Sequence, residues 1–304
     1  MPKIPVVATV VAAYRYIFAN YLRLFGIAWA STLLLMAIML GLFMPLILGM
    51  EQGSLNGDPA AALRAVGPLL LFEVVGLLLV LIPVVGITRR VFGRPVTWPY
   101  FYLAIGGDFW RLVLACVIIG LILIGVTLAV SLPLSILAGM TAATSSGTHP
   151  DPVALQAQMR AYQPIIVIPI YLATLFVSVR LGFFLPSIVV EERSLGIGRN
   201  WTLTRGNSWR ILAVIVLILL PLILIGAIQF VAFAALGGPN YFDIFGPPPA
   251  PLKVGADFMR IYLQYWYLYG AAWLLLYPVI YGPILVASAH AYRAIAGDAP
   301  SAQD

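Results

Sequence analysis

Any reaction carried out by this chain would have to be assembled from very few residues. Its 304 residues include two histidines, His149 and His290, and one cysteine, Cys116. Nucleophilic catalysis needs a nucleophile, a base and a group that orients the base. His149 lies in a polar loop and His290 near the opposite end of the last apolar stretch, so the two stand on opposite sides of any bilayer the chain crosses. No Ser-His-Asp or Cys-His set can be drawn. His and Cys are too sparse to surround a zinc ion. No Gly-rich loop between a strand and a helix offers a phosphate cradle. The expectation is a protein that is not an enzyme, with no catalytic, metal or cofactor residues. Cys116 has no internal disulfide partner.

Two charges fall inside apolar stretches and could mark a polar pathway, since intramembrane charges often carry function. Glu73 sits ~8–10 Å from the outer surface and Arg180 ~22 Å from the same surface, at ~1.5 Å rise per residue. That offset is too long for a direct ion pair. The plainer reading has Arg180 snorkelling to the nearby inner surface and Glu73 protonated or reached by water. A second feature is an aromatic seam at spacings of three and four: Tyr262, Tyr265, Tyr269, Trp273, Tyr277 and Tyr281. A pigment or quinone could stack on it. Helix packing is the expected use, with the outer members in the interface belt.

These residues are positioned by elements that need lipid as solvent. Hydrophobic residues make up 62% of the chain, charged residues 9%, and the mean hydropathy is +1.01. A soluble domain carries about 25% charged residues. Six stretches, near 24–48, 66–88, 112–138, 164–190, 211–236 and 262–290, are long enough to span a bilayer core as helices. The expected fold is all-α and polytopic: six transmembrane helices in three pseudo-repeated hairpins, as one membrane domain over 1–304.

Charge sets the orientation. With the N-terminus inside, twelve Lys and Arg fall on inner segments and four (Arg64, Arg160, Lys253 and Arg260) on outer ones. This positive-inside bias places both termini in the cytoplasm. It explains the net charge of +6 without nucleic acid. The opening Met1-Pro2-Lys3-Ile4-Pro5 lacks a cleavable-signal layout, so no removal is expected.

The hairpins share fixed offsets, with pseudo-repeats at 1–95, 96–193 and 194–304. Each first span opens on a related motif: Asn20-Tyr21-Leu22-Arg23-Leu24, Asp108-Phe109-Trp110-Arg111-Leu112 and Asn207-Ser208-Trp209-Arg210-Ile211. Pro45 and Pro133 each follow the motif arginine by twenty-two residues. Pro83, Pro186 and Pro283 precede Arg90, Arg193 and His290 by seven. Agreement of several offsets in order is the signature of a repeat, and three same-sense hairpins point to pseudo-threefold packing. The prolines should kink their helices. Asp58-Pro59 and Asp151-Pro152 should each start a short helix in an outer loop. Thr141–His149 and Gly246–Pro251 read as loop and extended spacer. Interfacial helices are expected ahead of each motif on the cytoplasmic side. The first has one apolar face (Ile4, Val7, Val10, Val11, Tyr14, Ile17, Phe18, Tyr21), the second is Val96 to Leu103, and the third begins at Ser194 as N-cap.

The densest polar run is the third inner segment. It contains Glu191-Glu192-Arg193-Ser194-Leu195-Gly196 and then Trp201-Thr202-Leu203-Thr204-Arg205-Gly206-Asn207-Ser208-Trp209-Arg210. Glu191, Glu192, Arg193 and Arg205 are placed to form a surface ion network. Asn207 and Arg210 suit capping and anchoring of the fifth span. Arg193, Arg199, Arg205, Asn207 and Arg210 are the candidates for anchoring the chain or holding anionic lipid head groups.

This run, with Pro186 and the Glu and Ser-Leu before it, resembles the signature of bacterial inner-membrane proteins grouped with the glycerophosphodiester phosphodiesterase membrane domain and the YciC-like uncharacterised proteins. The signature covers roughly thirty residues, and the six-span layout extends the likeness over most of the chain. The resemblance implies a bacterial inner-membrane protein of unassigned activity linked to lipid or envelope upkeep. Some members are fused to a soluble phosphodiesterase. Nothing here is long enough to be one, so no catalytic residue carries over. Three readings follow. The first is a non-enzymatic inner-membrane protein that interacts with membrane lipids or organises the envelope. The second is an accessory subunit with membrane-protein complex partners, and the third is a transporter or permease. None involves nucleic acid.

Overall fold

A computed structural model describes residues 2–51, 59–96, 102–103, 105–145, 152–235 and 264–296. Asp58, His149, Asp151, the Gly246–Pro251 run and Tyr262 lie outside them. The described residues form an all-α, multi-pass fold with no strand. In chain order the helices are α1 (Val6–Ala19), α2 (Tyr21–Glu51), α3 (Pro59–Val91), α4 (Gly107–Ser145), α5 (Pro152–Gly182), α6 (Leu185–Glu191), α7 (Ile197–Thr204), α8 (Ser208–Ala235) and α9 (Trp266–Ala296). Six segments are long and apolar enough to cross a membrane: Tyr21–Leu42, Leu70–Val91, Gly107–Leu137, Ile165–Glu191, Ser208–Val231 and Trp266–Ala296.

The helices begin and end where the chemistry of the chain says they should, with instructive exceptions. Helices do start at Pro59 and Pro152, but each runs on into its span as α3 or α5 rather than stopping as a short loop helix. Apolar sequence continues without a stop signal, and a proline in the first turn forfeits only an N–H that has no partner anyway. α4 likewise continues through Thr141 to Ser145. Pro83 and Pro283 sit inside continuous helices, whereas Pro186 occupies the first turn of the separate helix α6.

Two of the expected interfacial segments differ. α7 begins after Gly196, not at Ser194, because the chain turns there with φ of +63° and packs against Ile188. Tyr102 and Leu103 are not helical. Tyr102 is instead driven into the core, its ring filling the slot over Gly86 and against Ile27. The apolar residues of α1 and of the segment just before it are split between two faces. Ile4, Ala13 and Ile17 are buried against the bundle, while Val7, Val11 and Phe18 point away from it.

The contacts run in a cycle. The second spans of the hairpins are α3, α5 with its continuation α6, and α9; of these α3, α6 and α9 touch one another pairwise. Each first helix lies between the second helix of its own hairpin and that of the hairpin before: α2 between α3 and α9, α4 between α5 and α3, α8 between α9 and α5. α1 packs on α9 and α8, and α7 packs on α5 and α6. The three opening motifs also occupy like environments. Their third residues, Leu22, Trp110 and Trp209, are 74%, 57% and 83% exposed. Their fifth residues, Leu24, Leu112 and Ile211, are 0%, 1% and 0% exposed.

Burial is concentrated at the basic end. On α4 no described residue after Ile119 is buried, and on α8 none after Ile218. The core gathers instead around α6, with Phe184, Ile188, Val189 and Val190 fully enclosed. Close approach there requires glycine. A Cβ on Gly86 would lie 2.6 Å from Ile27 Cγ2 and 2.8 Å from the Tyr102 ring, and one on Gly282 would lie 2.5 Å from Ile17 Cδ1. Overfilling a packed core costs about 1–3 kcal/mol or more. Gly86→Leu is therefore expected to lower the thermal unfolding midpoint in detergent, while Gly67→Leu, where a Cβ meets open space, leaves it unchanged.

Candidate functional site

A membrane helix that breaks must find partners for the peptide groups it frees, because lipid supplies none. The span from Ile165 to Glu191 breaks between Gly182 and Leu185, where α5 ends and α6 begins. Asn200 of α7, fully buried, closes the gap. Its amide donates to the Leu181 carbonyl, and its carbonyl oxygen accepts from the Phe184 N–H at 3.3 Å. Ser288 of α9 donates to the Phe183 carbonyl at 2.6 Å and accepts from Ser187 at 3.0 Å. Thr204 reaches the Arg180 carbonyl at 3.4 Å. Three side chains from two neighbouring elements thus satisfy one break. The sequence reading missed Asn200, Ser187 and Ser288. The available signal was an amide, Asn200, in the polar run that follows the Gly182-Phe183-Phe184-Leu185-Pro186 break sequence.

Around this clamp the acids of the basic end each bind an arginine from another element or turn. Asp108 pairs with Arg111 at 3.1 Å and lies 3.8 Å from Arg89. Glu191 pairs with Arg94 at 3.2 Å. Glu192 pairs with Arg199 at 3.2 Å and accepts a hydrogen bond from Tyr292 at 2.7 Å. The expected network of Glu191, Glu192, Arg193 and Arg205 is therefore not formed. The carboxylates turn to Arg94 and Arg199, which approach from the end of α3 and from α7. Arg193 sits exposed at φ of +53°, and Arg205 is exposed.

The five anchoring candidates thus divide. Arg199 is engaged with Glu192. Asn207 and Arg210 anchor, though not by side-chain capping of α8. Asn207 accepts from the Ile4 N–H at 3.3 Å and donates to the Pro2 carbonyl at 3.2 Å. Arg210 donates to the Ile4 carbonyl at 2.9 Å. Together they pin the segment before α1 to the start of α8. The side chains of Arg193 and Arg205 make no ion pair or hydrogen bond among the described residues, and neither do those of Lys3, Arg15, Arg23 and Arg90. Three guanidinium groups converge near Tyr16 of α1. Burial raises the pKa of its hydroxyl, and the fields of Arg90, Arg293 and Arg23 work in the opposite direction. Arg293 also donates to the Val91 carbonyl at 3.2 Å and stacks over Phe92.

The two intramembrane charges are not brought together. Arg180 turns to α7, its guanidinium 4.4 Å from the centre of the Trp201 ring and 5.3 Å from that of Phe176, and it donates to the Trp201 carbonyl at 3.3 Å. Glu73 is exposed among Leu70, Leu71, Val74 and Leu77, on a face of α3 turned away from the bundle. The described part of the aromatic seam packs on itself: Tyr277 lies 4.7 Å from Tyr281, and Trp273 stands edge-on to Tyr281 at 6.4 Å.

No family model matches this chain, and no curated protein or solved structure is found to be similar to it.

Two outcomes are expected. Asn200→Ala strands a buried carbonyl and a buried N–H, at about 1–3 kcal/mol each. It should lower the unfolding midpoint and speed hydrogen exchange at Phe184 and Leu185 relative to the rest of the core. Glu73→Gln, on an outward face, should change stability by less than ~0.5 kcal/mol and leave the cellular phenotype unaltered.

Proposed function

We propose that this chain is a non-enzymatic protein of the bacterial inner membrane whose basic, cytoplasmic end holds anionic lipid, in support of envelope organisation. One observation carries the reading. At the basic end the described carboxylates, Asp108, Glu191 and Glu192, are all occupied by arginines, while Lys3, Arg15, Arg23, Arg90, Arg193 and Arg205 remain without a protein partner among the described residues. A cation next to an anionic leaflet contributes about 1 kcal/mol of attraction. The exposed Leu22, Trp110 and Trp209 each precede a motif arginine, Arg23, Arg111 or Arg210, and suit the head-group boundary. The cyclic packing and the like environments of the opening motifs support three copies of one hairpin about a common axis, with one basic rim. Both termini then face the cytoplasm. The resemblance of the third inner segment points the same way.

A second reading, an accessory subunit, is favoured by the large apolar side chains that α4, α5 and α8 leave uncovered, such as Leu121, Leu172 and Leu224. Native mass spectrometry after mild extraction separates the two. A second polypeptide in fixed stoichiometry supports the subunit reading, and a lone chain with retained anionic lipid supports the first. For the lipid reading, Arg15→Gln/Arg23→Gln/Arg90→Gln should weaken the preference for anionic over zwitterionic lipid by up to roughly 100-fold, since three surface charges contribute about 3 kcal/mol. An undiminished preference in that variant overturns it.

A further inference from the structure

We propose that the pocket beside the start of α8 seats one phosphate ester, held by Lys3 and Arg205. This rests on the anion-binding reading of the basic end and narrows it to a single seat. Lys3, Arg205, Gly206 and Asn207 line a cavity of about 430 Å3. Ligand pockets run from ~300 to ~1,000 Å3, so this one matches a head group rather than a large cofactor.

Three features make the cavity attractive to an anion. Its two cations are exposed, and neither is neutralised by a carboxylate among the described residues. No acid lines it. It also lies at the N-terminal end of a helix of 28 residues. The first-turn N–H groups of a helix have no intrahelical partner, and its dipole is positive there. The side chain best placed to cap those groups, that of Asn207, is turned instead to Pro2 and Ile4. That same pair of bonds, with Arg210 on the Ile4 carbonyl, carries Lys3 to the mouth of the pocket. Gly206 takes φ of +78° to make the turn before α8, so no Cβ intrudes. The site is thus built from two stretches of the chain more than 200 residues apart, joined by hydrogen bonds.

The chemistry recognised is a phosphate mono- or diester oxyanion. The exposed Trp209, two residues past Asn207, places the pocket at the boundary of the apolar layer and suits a phosphate carried on a lipid. A free phosphate ester would meet the same groups from the water side.

The test uses the full chain in phosphatidylcholine nanodiscs, with phosphatidylglycerol as a minor component for one arm and inorganic phosphate for the other. Retained lipid is counted by native mass spectrometry and phosphate binding is read from 31P line width. Lys3→Gln/Arg205→Gln is compared with the wild type and with Arg15→Gln/Arg23→Gln. Both pairs are exposed and unpartnered among the described residues, so unchanged melting midpoints are expected. Lys3→Gln alone, outside every helix, provides a second variant. The wild type and Arg15→Gln/Arg23→Gln should keep one phosphatidylglycerol through exchange, and Lys3→Gln/Arg205→Gln should lose it at least tenfold. Equal lipid retention with phosphate broadening abolished only in Lys3→Gln/Arg205→Gln also supports the seat and assigns it a soluble ester. Lipid loss in Arg15→Gln/Arg23→Gln but not in Lys3→Gln/Arg205→Gln overturns the pocket and leaves the broader reading standing. Identical behaviour of all chains with both probes overturns both.

Discussion

The fold depends on how a helix break is made tolerable inside a bilayer. Between Gly182 and Leu185 the chain abandons α5 and starts α6, and four peptide groups lose their regular partners or gain side-chain ones. Asn200 alone serves one acceptor and one donor across the gap. Because α7 carries Asn200 and α9 carries Ser288, the break holds three stretches of chain to one point. α6 is thereby placed where α3, α4, α5, α7 and α9 all reach it. Apolar packing then fills the space around it, with Phe184 and Ile188 enclosed on all sides. In lipid such packing is driven by close contact more than by release of water, which is why Gly86 and Gly282 matter as much as the large side chains.

Charge organises the same end on a larger scale. The acids are few, and each joins separate turns or elements: Asp108 meets Arg111 on α4 and Arg89 on α3, Glu191 meets Arg94, and Glu192 meets both Arg199 and Tyr292. These are partly exposed pairs, and such pairs contribute little stability individually, about 0–1 kcal/mol. Their larger effect is to fix which arginines are occupied. The remaining cations form a rim whose charge is answered by nothing in the described protein.

The spans were legible in the sequence because lipid imposes a simple rule, length of apolar helix, and the observed segments follow the expected ones closely. The opening motifs were legible too: the Leu22, Trp110 and Trp209 positions agree in exposure, and Leu24, Leu112 and Ile211 agree in burial. What the sequence hid was partnership. Nothing in spacing says that Asn207 turns back to Pro2, that Glu192 prefers Arg199 to Arg193, or that Tyr102 leaves the surface for the slot over Gly86. Those outcomes depend on how separate elements pack: Asn207 and Pro2 are 205 positions apart, and even Glu192 and Arg199, seven apart, meet only because the chain turns between α6 and α7. Glu73 shows the same limit: its position along the helix axis is set by sequence, but the face it occupies is set by how α3 is rotated against α2 and α9.

The confinement of burial to one end has a mechanical consequence. The long helices α3, α4, α5 and α9 meet at α6, and beyond Ile119 and Ile218 the described residues of α4 and α8 are unburied, so the far arms share a fulcrum at α6. A change in bilayer thickness or lateral pressure is met by tilting of the far arms, the usual response to mismatch, with acyl chains entering the spaces between them. The fulcrum and its charged rim keep their shape meanwhile. One leaflet meets a rigid, charged template, and the other meets a surface that yields.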